Sequence, residues 1–436
     1  MFRFNRMFTL WLLAALLLSA CQPIVAPTPE AAAPLLQAEV LATGAPLHSA
    51  NGLYFGPDGN LYIGSIGGHE IIVMNPETGA ILRRFSDEVG VTSPDDLTFG
   101  PDDSLYWTNL MTGEVGRLAP DGTATSQQVA LGVNPITFSD DGRLFVALAF
   151  FGDALYELDP ALVEPPRLLA EGLGFLNAFD FGPDGYLYGP LYLRGQFVRI
   201  DVNADPVTIE TVADGFGLPA AAKFDAQGRL HMLDQATGAV TRLNLETGER
   251  SAIATLPPGI DNLAFDAEDR LFVSHNSQSY VFEVMADGTV RTVSPGGMPS
   301  PAGVAVVTQQ GVETIYVANV MSLNPFDAQT GQPGEFVERN AVTVSPDGEN
   351  LLLTSWFANV VEIWNPATGD AVATYHDFAV PLNAIRFQGD LIVAELGTAS
   401  VVRVNGADPT QRTPLITEMA VPAGLAATAD DLWVCN

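Results

Sequence analysis

Oxygen-bearing side chains open a motif that recurs along this 436-residue chain. They stand at the start of alternating apolar segments as Asn51, Asp95, Asn134, Asn177, Asp261, Asn340 and Asn383. Carboxylate and amide oxygens are the ligands that a hard cation such as Ca²⁺ takes in proteins, and a carboxylate that faces a bound water can act as a general base. If the fold brings these positions together, the sequence predicts a cation site, acid–base chemistry, or both.

A second group of polar residues lies at the end of the apolar segment that follows each turn. It includes Asp234 and His275, and we predict that Asp234, Asp261 or His275 is the base if the protein is an enzyme. The alternative is structural. Asn and Asp at strand ends bond to nearby backbone groups and fix turns, and a lone His in a strand often makes a local hydrogen bond. The sequence leaves both interpretations open.

The element that must position these residues is a β-hairpin, first seen in NGLYFGPDGNLYI at residues 51–63. Apolar residues alternate on both sides of Pro57-Asp58-Gly59, which is a tight-turn sequence. A third strand is predicted at 70–74 and a fourth at 80–85. Four short antiparallel strands in about forty residues are typical of one propeller blade.

The blade motif repeats down the whole chain. Its copies start at 51, 95, 134, 177, 220, 261, 302, 340, 383 and 423. We therefore predict an all-β fold, a β-propeller of four-stranded blades with ten repeat starts. Closed rings usually have about four to eight blades. Ten copies thus indicate either a six-bladed ring with a second partial ring or one large ring.

The Pro/Gly-rich stretch at 294–301 follows the sixth copy and is the predicted boundary. It divides the propeller into blades 1–6 at 46–300 and further blades at 301–436. The tenth copy ends after its second strand, so we expect the last blade to be incomplete at its C-terminal end. Residues 38–43 resemble a fourth strand that precedes the first blade and would close a ring by pairing with the last blade.

The N-terminus predicts export. Arg3 and Arg6 precede a short apolar run and Leu18-Ser19-Ala20-Cys21. This order resembles a bacterial lipoprotein signal, which implies removal of residues 1–20 and attachment of lipid to Cys21. Residues 21–45, rich in Pro and Ala, are the predicted tether. The protein would then be anchored by lipid to the bacterial membrane on its extracytoplasmic face or in the periplasm, and Cys435 would have no disulfide partner.

Charge limits the partners. Fifty-one acidic residues against nineteen basic ones give a net charge of −32, and Lys223 is the only lysine. Nucleic acid is a poor partner for such a protein. The remaining partners are a small molecule, a glycan or another protein, with the membrane contacted only through the lipid.

The copies resemble NHL-type repeats and the senescence-marker-protein/gluconolactonase-like superfamily, and LYWTNLMTGEVGRLAPDG in the second copy is also similar to virginiamycin B lyase repeats. In the gluconolactonase-like enzymes a divalent metal at the channel mouth is held by Glu, Asn and Asp. The resemblance places Asn177 and Asp261 at the Asn and Asp positions. The Glu position holds Asn51-Gly52, and Asn177 and Asp261 lie two copies apart instead of on neighbouring blades.

We therefore predict a recognition module that binds its ligand at the channel rim, with Ca²⁺ the expected cation if one is bound. The alternative is a metal-dependent lactonase or related hydrolase, which the resemblance implies. A structural scaffold is a third possibility. We expect the aromatic residues on or beside strands to lie mainly in the core. The alternative for Trp356 and Phe357, which follow a second strand, is a position at the rim. The aromatic residues concerned are Trp107, Phe150, Phe151, Trp356, Phe357, Trp364 and Trp433.

Overall fold

The computed structural model describes residues 40–42, 44–356 and 358–435. Cys21, the predicted signal sequence and most of the tether lie outside this part of the chain, and so does Phe357. Within it the structure is built from antiparallel sheets of sequential strands, nine with four strands and one with two. The prediction of an all-β propeller of four-stranded blades is confirmed.

The first six blades contain the strands β1 Ala50–Phe55, β2 Leu61–Ser65, β3 Glu70–Met74 and β4 Ile81–Phe85; β5 Pro94–Phe99, β6 Leu105–Asn109, β7 Glu114–Leu118 and β8 Ala124–Gln128; β9 Val133–Phe138, β10 Leu144–Leu148, β11 Ala154–Leu158 and β12 Arg167–Glu171; β13 Asp180–Phe181, β14 Leu187–Leu191, β15 Gln196–Asp201 and β16 Thr208–Ala213; β17 Pro219–Phe224, β18 Leu230–Asp234, β19 Ala239–Leu243 and β20 Arg250–Thr255; β21 Ile260–Phe265, β22 Leu271–His275, β23 Val281–Val284 and β24 Val290–Ser294. Short 3-10 turns occupy Ile66–Gly68, Asp87–Val89 and Tyr192–Arg194.

The remaining blades contain β25 Gly303–Gln309, β26 Val312–Ala318, β27 Val320–Asp327 and β28 Val337–Ala341; β29 Thr343–Asp347, β30 Asn350–Ser355, β31 Val360–Trp364 and β32 Ala371–Tyr375; β33 Pro381–Phe387, β34 Asp390–Glu395, β35 Ser400–Val404 and β36 Arg412–Ile416; and the pair β37 Leu425–Ala427 and β38 Leu432–Val434. The predicted boundary stretch lies between β24 and β25.

The first hairpin forms as its sequence predicts. Asp58 accepts a hydrogen bond from the backbone N–H of Asn60 over 3.1 Å and so closes the turn between β1 and β2. Asp102 and Asp184 repeat this bond in later blades, at 3.1 and 3.3 Å. The acidic residue of the turn is therefore architectural.

Blades 1–6 close into a ring. The innermost strand of the first blade packs against β21 and β22 of the sixth. Ser274 donates a hydrogen bond to the carbonyl oxygen of Asn51 over 2.6 Å, and the rings of Phe55 and Phe272 meet edge to face at 5.1 Å. Leu53 and Ile63 lie in the same buried cluster as Phe272. Of the two arrangements open from the sequence, the structure has the six-bladed ring with a second group of blades.

The second group forms an arc. Its innermost strands pack in order, β25 on β29, β29 on β33 and β33 on β37. Val304 and Val306 of β25 are 64% and 48% exposed, so one face of this blade is uncovered. Residues 40–42, the described part of the predicted strand at 38–43, are irregular. That prediction is wrong for these residues, since the first ring closes without them, through the contacts of β1 with β21 and β22.

Candidate functional site

A β-bulge at the start of the innermost strand opens the first ring toward its channel. The pairing of β1 with β2 shifts between Ala50 and Leu53, that of β5 with β6 between Pro94 and Leu97, and that of β21 with β22 between Ile260 and Leu263. A bulge leaves residues unpaired and redirects their side chains. At the channel mouth, two consecutive residues of each of these strands are therefore not paired with the neighbouring strand.

The bulges bring two carboxylates close together at the mouth. Asp95 is 2% exposed, and Asn51 donates a hydrogen bond to its Oδ1 over 3.1 Å. Its Oδ2 is buried and has no hydrogen-bond partner within the described residues. Burial and the negative charges of Asp261 and Asp96 raise the pKa of Asp95 well above its usual range. This carboxyl group thus lacks the counter-charge that a buried acid normally requires.

Asp261 faces Asp95 from the sixth blade and is partly exposed to solvent. Burial of its carboxyl group, with a contribution from the charge of Asp96, raises the pKa of Asp261 to about 7. Gln235 donates to Asp261 Oδ1 over a long 3.5 Å, and Tyr192 donates to Gln235 Oε1 over 2.6 Å. The sequence-predicted Asp261 is therefore at the mouth, held through Gln235 by a tyrosine of the fourth blade.

Below the mouth the channel is filled by a charged network. Asn262 donates to Asp96 Oδ1 over 3.1 Å, and the backbone N–H of Ile136 donates to Asp96 Oδ2 over 3.2 Å. Lys223, 7% exposed, donates to the carbonyl oxygen of Phe179 over 3.0 Å. Burial raises the pKa values of Asp96 and Asp180, and the nearby charge of Lys223 lowers both. The single lysine of the chain thus compensates the deep acids.

Amides of other blades complete the mouth. Asn134 and Asn177 are 5% and 6% exposed, and within the described part of the chain their side chains make no hydrogen bond. The backbone N–H of Asn177 donates to the carbonyl oxygen of Pro190 over 3.1 Å. Asn177 precedes the two-residue strand β13, so the fourth blade begins irregularly. The predicted metal ligands Asn177 and Asp261 belong to the same ring, on its fourth and sixth blades.

Polar residues at the ends of the second strands have a different role. Asp234 accepts backbone N–H bonds from Gly217, Leu218 and Ala236, at 2.9, 3.0 and 3.1 Å. Asn109 accepts from Thr92 and Ser93 in the equivalent loop, at 3.0 and 3.2 Å. Both oxygens of Asp234 are therefore engaged in holding the loop that precedes the blade. Its predicted role as a base stays a prediction.

His275 is fully buried where the ring meets the seventh blade. Its Nδ1 accepts the backbone N–H of Gln278 over 3.2 Å, and its Nε2 has no partner within the described residues. The imidazole packs against Tyr280 and Phe336 with ring centroids 6.0 Å away in each case. Burial lowers the pKa of His275 to about 4, so the ring is neutral at pH 7. The structure places His275 in this junction, and no described hydrogen bond joins its ring to Asp95 or Asp261.

Several of these residues were not singled out from the sequence. Asp96 and Lys223 were missed, and the consecutive acids of Pro94-Asp95-Asp96 were the available signal. Tyr192 and Gln235 lie in loops that follow second strands and carry no pattern of their own. Among the aromatic residues, Trp107 and Trp364 are in the core as expected, and Trp356 is 38% exposed.

No group of three or more His, Cys, Asp or Glu side chains within the described residues is arranged to hold a metal ion. No helix in that part of the chain is long and apolar enough to cross a membrane. Cys435 is exposed and not in a disulfide.

No protein-family model matches the chain, and no curated protein is significantly similar to it. A solved streptogramin B lyase matches with a TM-score of 0.47 and 15% identity, over 64% of this chain and 94% of the lyase. A gluconolactonase from Xanthomonas campestris gives 0.44 and 17%, over 54% and 85%. The extracellular domain assigned to a one-component system of B. thetaiotaomicron gives 0.40 and 12%, over 90% and 70%. The likeness carries no activity over to this chain.

Proposed function

We propose that the closed ring is a recognition module that binds the positively charged part of a ligand at its mouth, between Asp95 and Asp261. The observation that carries this proposal is the pair of under-compensated carboxylates, one of them with a buried oxygen that has no partner within the described residues. A protein normally pairs or removes such groups, because burying a charge without a partner costs free energy. A cationic ligand supplies the missing partner.

The overall charge supports the same conclusion. The chain carries −32, and its only lysine is buried in the channel and does not face solvent. An acidic protein with a recessed acidic mouth concentrates cations there. Ligand binding would therefore weaken as the salt concentration rises.

A divalent cation is one form that this charge could take. Asp95 and Asp261 would hold it, with the amide oxygen of Asn177 as a further ligand, and these donors are of the type that Ca²⁺ prefers. The unpartnered Oδ2 of Asp95 fits such an ion. When bound, the ion would polarise a ligand oxygen. The protein's part would be to orient that ligand with the surrounding amides.

The alternative function is a lactonase or related hydrolase. The specific observation in its favour is Asp261, a partly exposed carboxyl group whose pKa of about 7 is well matched to proton transfer near neutral pH. Tyr192 and Gln235 would position it. In that case Asp261 would take a proton from water as the water attacks a lactone carbonyl.

Calorimetric titration tests the recognition proposal. We expect CaCl₂ or small amines to bind to the wild-type protein, and Asp95→Asn and Asp261→Asn each to weaken the affinity about tenfold or more, since a hydrogen-bonded charge pair is lost. Asp103→Asn is the matched control, because Asp103 is exposed in the turn between β5 and β6 at the opposite end of the ring. Unchanged binding in both mouth variants would overturn the proposal.

An assay of turnover distinguishes the hydrolase from the recognition module. A panel of sugar and acyl lactones is assayed with the wild type, Asn177→Ala and Asp261→Asn. Metal-dependent turnover that is lost in Asp261→Asn and kept in Asp103→Asn would establish the hydrolase. Binding without turnover would leave the recognition module.

We further propose that the protein is exported and anchored through a lipid on Cys21. This proposal rests on the N-terminal sequence alone. Metabolic labelling with a fatty acid tests it: we expect the label in the wild type and not in Cys21→Ser.

A further inference from the structure

We propose that the ligand of the mouth is an amine that carries an aromatic group a few bonds from its ammonium nitrogen. This inference rests on the proposed function, because the ammonium group would occupy the site of Asp95 and Asp261. It adds a second subsite, formed by aromatic side chains of the third and fourth blades.

The second subsite is a cluster of three aromatic rings. The ring of Phe150 lies 5.6 Å from that of Phe175 and 5.7 Å from that of Tyr192, centroid to centroid. Phe150 is 48% exposed, and Phe175 and Tyr192 are partly exposed. The three residues come from loops at the mouth end of the ring, after β10, before β13 and after β14. An exposed cluster of this kind offers stacking and edge-to-face contacts to another aromatic ring.

The backbone under this cluster is strained. Phe150 and Phe175 have φ angles of +67° and +62°, a region that disfavours bulky side chains. In the third and sixth blades the residue equivalent to Phe175, two positions before the opening Asn or Asp, is glycine: Gly132 and Gly259. Phe175 thus adopts a backbone conformation that glycine would adopt at a lower conformational energy. A positive φ at this position belongs to the blade repeat, because Ser49, two positions before Asn51 in the first blade, has a φ angle of +60°.

A short chain of hydrogen bonds joins the aromatic cluster to the carboxylates. Tyr192 donates its hydroxyl hydrogen to Gln235 Oε1 over 2.6 Å, and Gln235 Nε2 donates toward Asp261 Oδ1 over 3.5 Å. One residue therefore separates the aromatic subsite from the acid. The proposed ligand spans this connection, with its ring at the aromatic cluster and its ammonium group at Asp261.

Three probes test the two subsites separately: 2-phenylethylamine carries both groups, 2-phenylethanol lacks the charge, and ethylamine lacks the ring. We expect 2-phenylethylamine to bind most tightly. Phe150→Leu should weaken 2-phenylethylamine and 2-phenylethanol roughly three- to tenfold, since an aromatic contact is lost, and leave ethylamine unchanged. Asp261→Asn should weaken the two amines and leave the alcohol unchanged. Affinities are measured by calorimetry or by ligand-detected NMR.

Phe151→Leu is the matched control. Phe151 is the neighbouring residue and is 56% exposed, but it makes no ring contact with any described residue. We expect its affinity for all three probes to equal that of the wild type. The dipeptide Phe-Gly, with the same amine and ring at a peptide N-terminus, distinguishes a peptide ligand from a free amine. Tighter binding of Phe-Gly than of 2-phenylethylamine would favour a peptide source.

The outcomes separate this inference from the proposed function. If ethylamine or Ca²⁺ binds in an Asp261-dependent manner, and 2-phenylethylamine binds no more tightly than ethylamine, the aromatic subsite is refuted and the acidic mouth stands. The same conclusion follows if Phe150→Leu and Phe151→Leu have equal effects. If no probe depends on Asp95 or Asp261, both proposals fail.

Discussion

Replacing Asp261 with Asn should make the protein more stable at alkaline pH. The folded-state pKa of Asp261 is raised to about 7, whereas the carboxyl group of an unfolded chain titrates at its model value of 3.8. Between these two values the folded protein holds a proton that the unfolded chain has released. The stabilisation from that proton is complete below the unfolded pKa and is lost as the pH rises through the folded pKa.

The size of the effect follows from the shift. A shift of about 3 pH units at about 1.4 kcal/mol per unit gives an upper limit of about 4 kcal/mol, of which about 2 kcal/mol falls between about pH 5.5 and pH 8.5. We expect roughly half of that in practice, because the mouth is open to water that screens the charge. Asn is neutral throughout and can still accept the long hydrogen bond from Gln235. The variant should therefore gain about 1 kcal/mol over the wild type at the higher pH relative to the lower.

Urea unfolding followed by tryptophan fluorescence at the two pH values measures this difference. Asp103→Asn removes one exposed carboxylate at the other end of the ring and should leave the pH dependence of the wild type intact. Asp95 also has a raised pKa, so some loss of stability with pH should remain in Asp261→Asn. If the stability difference between Asp261→Asn and the wild type is the same at both pH values, or shrinks as the pH rises, the electrostatic account of the mouth is refuted.

Three further substitutions test the surrounding structure. Lys223→Met should lower the free energy of unfolding by roughly 3–5 kcal/mol, because Asp96 and Asp180 lose their buried counter-charge. Adding Asp180→Asn should restore part of the lost stability, and no recovery would contradict the pairing of Lys223 with Asp180. Gly52→Ala should lower the free energy of unfolding by roughly 1–3 kcal/mol and weaken binding at the mouth, because its Cβ would lie 2.6 Å from the Cα of Asp96 and 2.7 Å from the carbonyl oxygen of Asp95. Gly67→Ala is the control: its Cβ would come no closer than 3.3 Å, to the Ser300 hydroxyl oxygen, so urea unfolding should show a smaller loss of stability. Asp234→Ala should lower the free energy of unfolding by roughly 1–3 kcal/mol, because three backbone N–H groups lose their acceptor. In the lactone assay the pH profile of any turnover should stay unchanged, and a shifted profile would indicate that Asp234 is a base.

The blades could be predicted from the sequence because their signals are local. The third strand of the first blade is Glu70–Met74, as predicted, and the fourth begins one residue later than the predicted position 80. Both follow from alternating apolar residues between turn sequences, which need no information from distant parts of the chain. Ring closure is different. It depends on β1 meeting β21, and ten similar repeats do not indicate which two copies are neighbours.

The candidate site was only partly predictable for a physical reason. Period-two alternation assigns one face to each residue, but the bulges break that period and release Asp95 and Asp96 together. Alternation therefore directs attention to one opening residue and overlooks the next one. Strand starts and second-strand ends also meet at the same end of the ring, so Asp234 appeared equivalent to Asp261. Only the hydrogen bonds distinguish them.

The acids of the ring form two layers, one in the channel and one at the mouth, and they differ in how well their charges are compensated. Asp96, deep in the channel, has an amide, a backbone N–H and a nearby lysine charge, so its negative charge is largely compensated. Asp95, one residue earlier in the same bulge, has a single amide bond and faces another acid. Because the lysine lies one layer lower, the acids of the mouth have no counter-charge while the channel stays packed. A ligand with its own positive charge would provide at the mouth the counter-charge that Lys223 provides below it. For Asp261→Asn we therefore expect ligand binding to weaken and the free energy of unfolding at alkaline pH to rise.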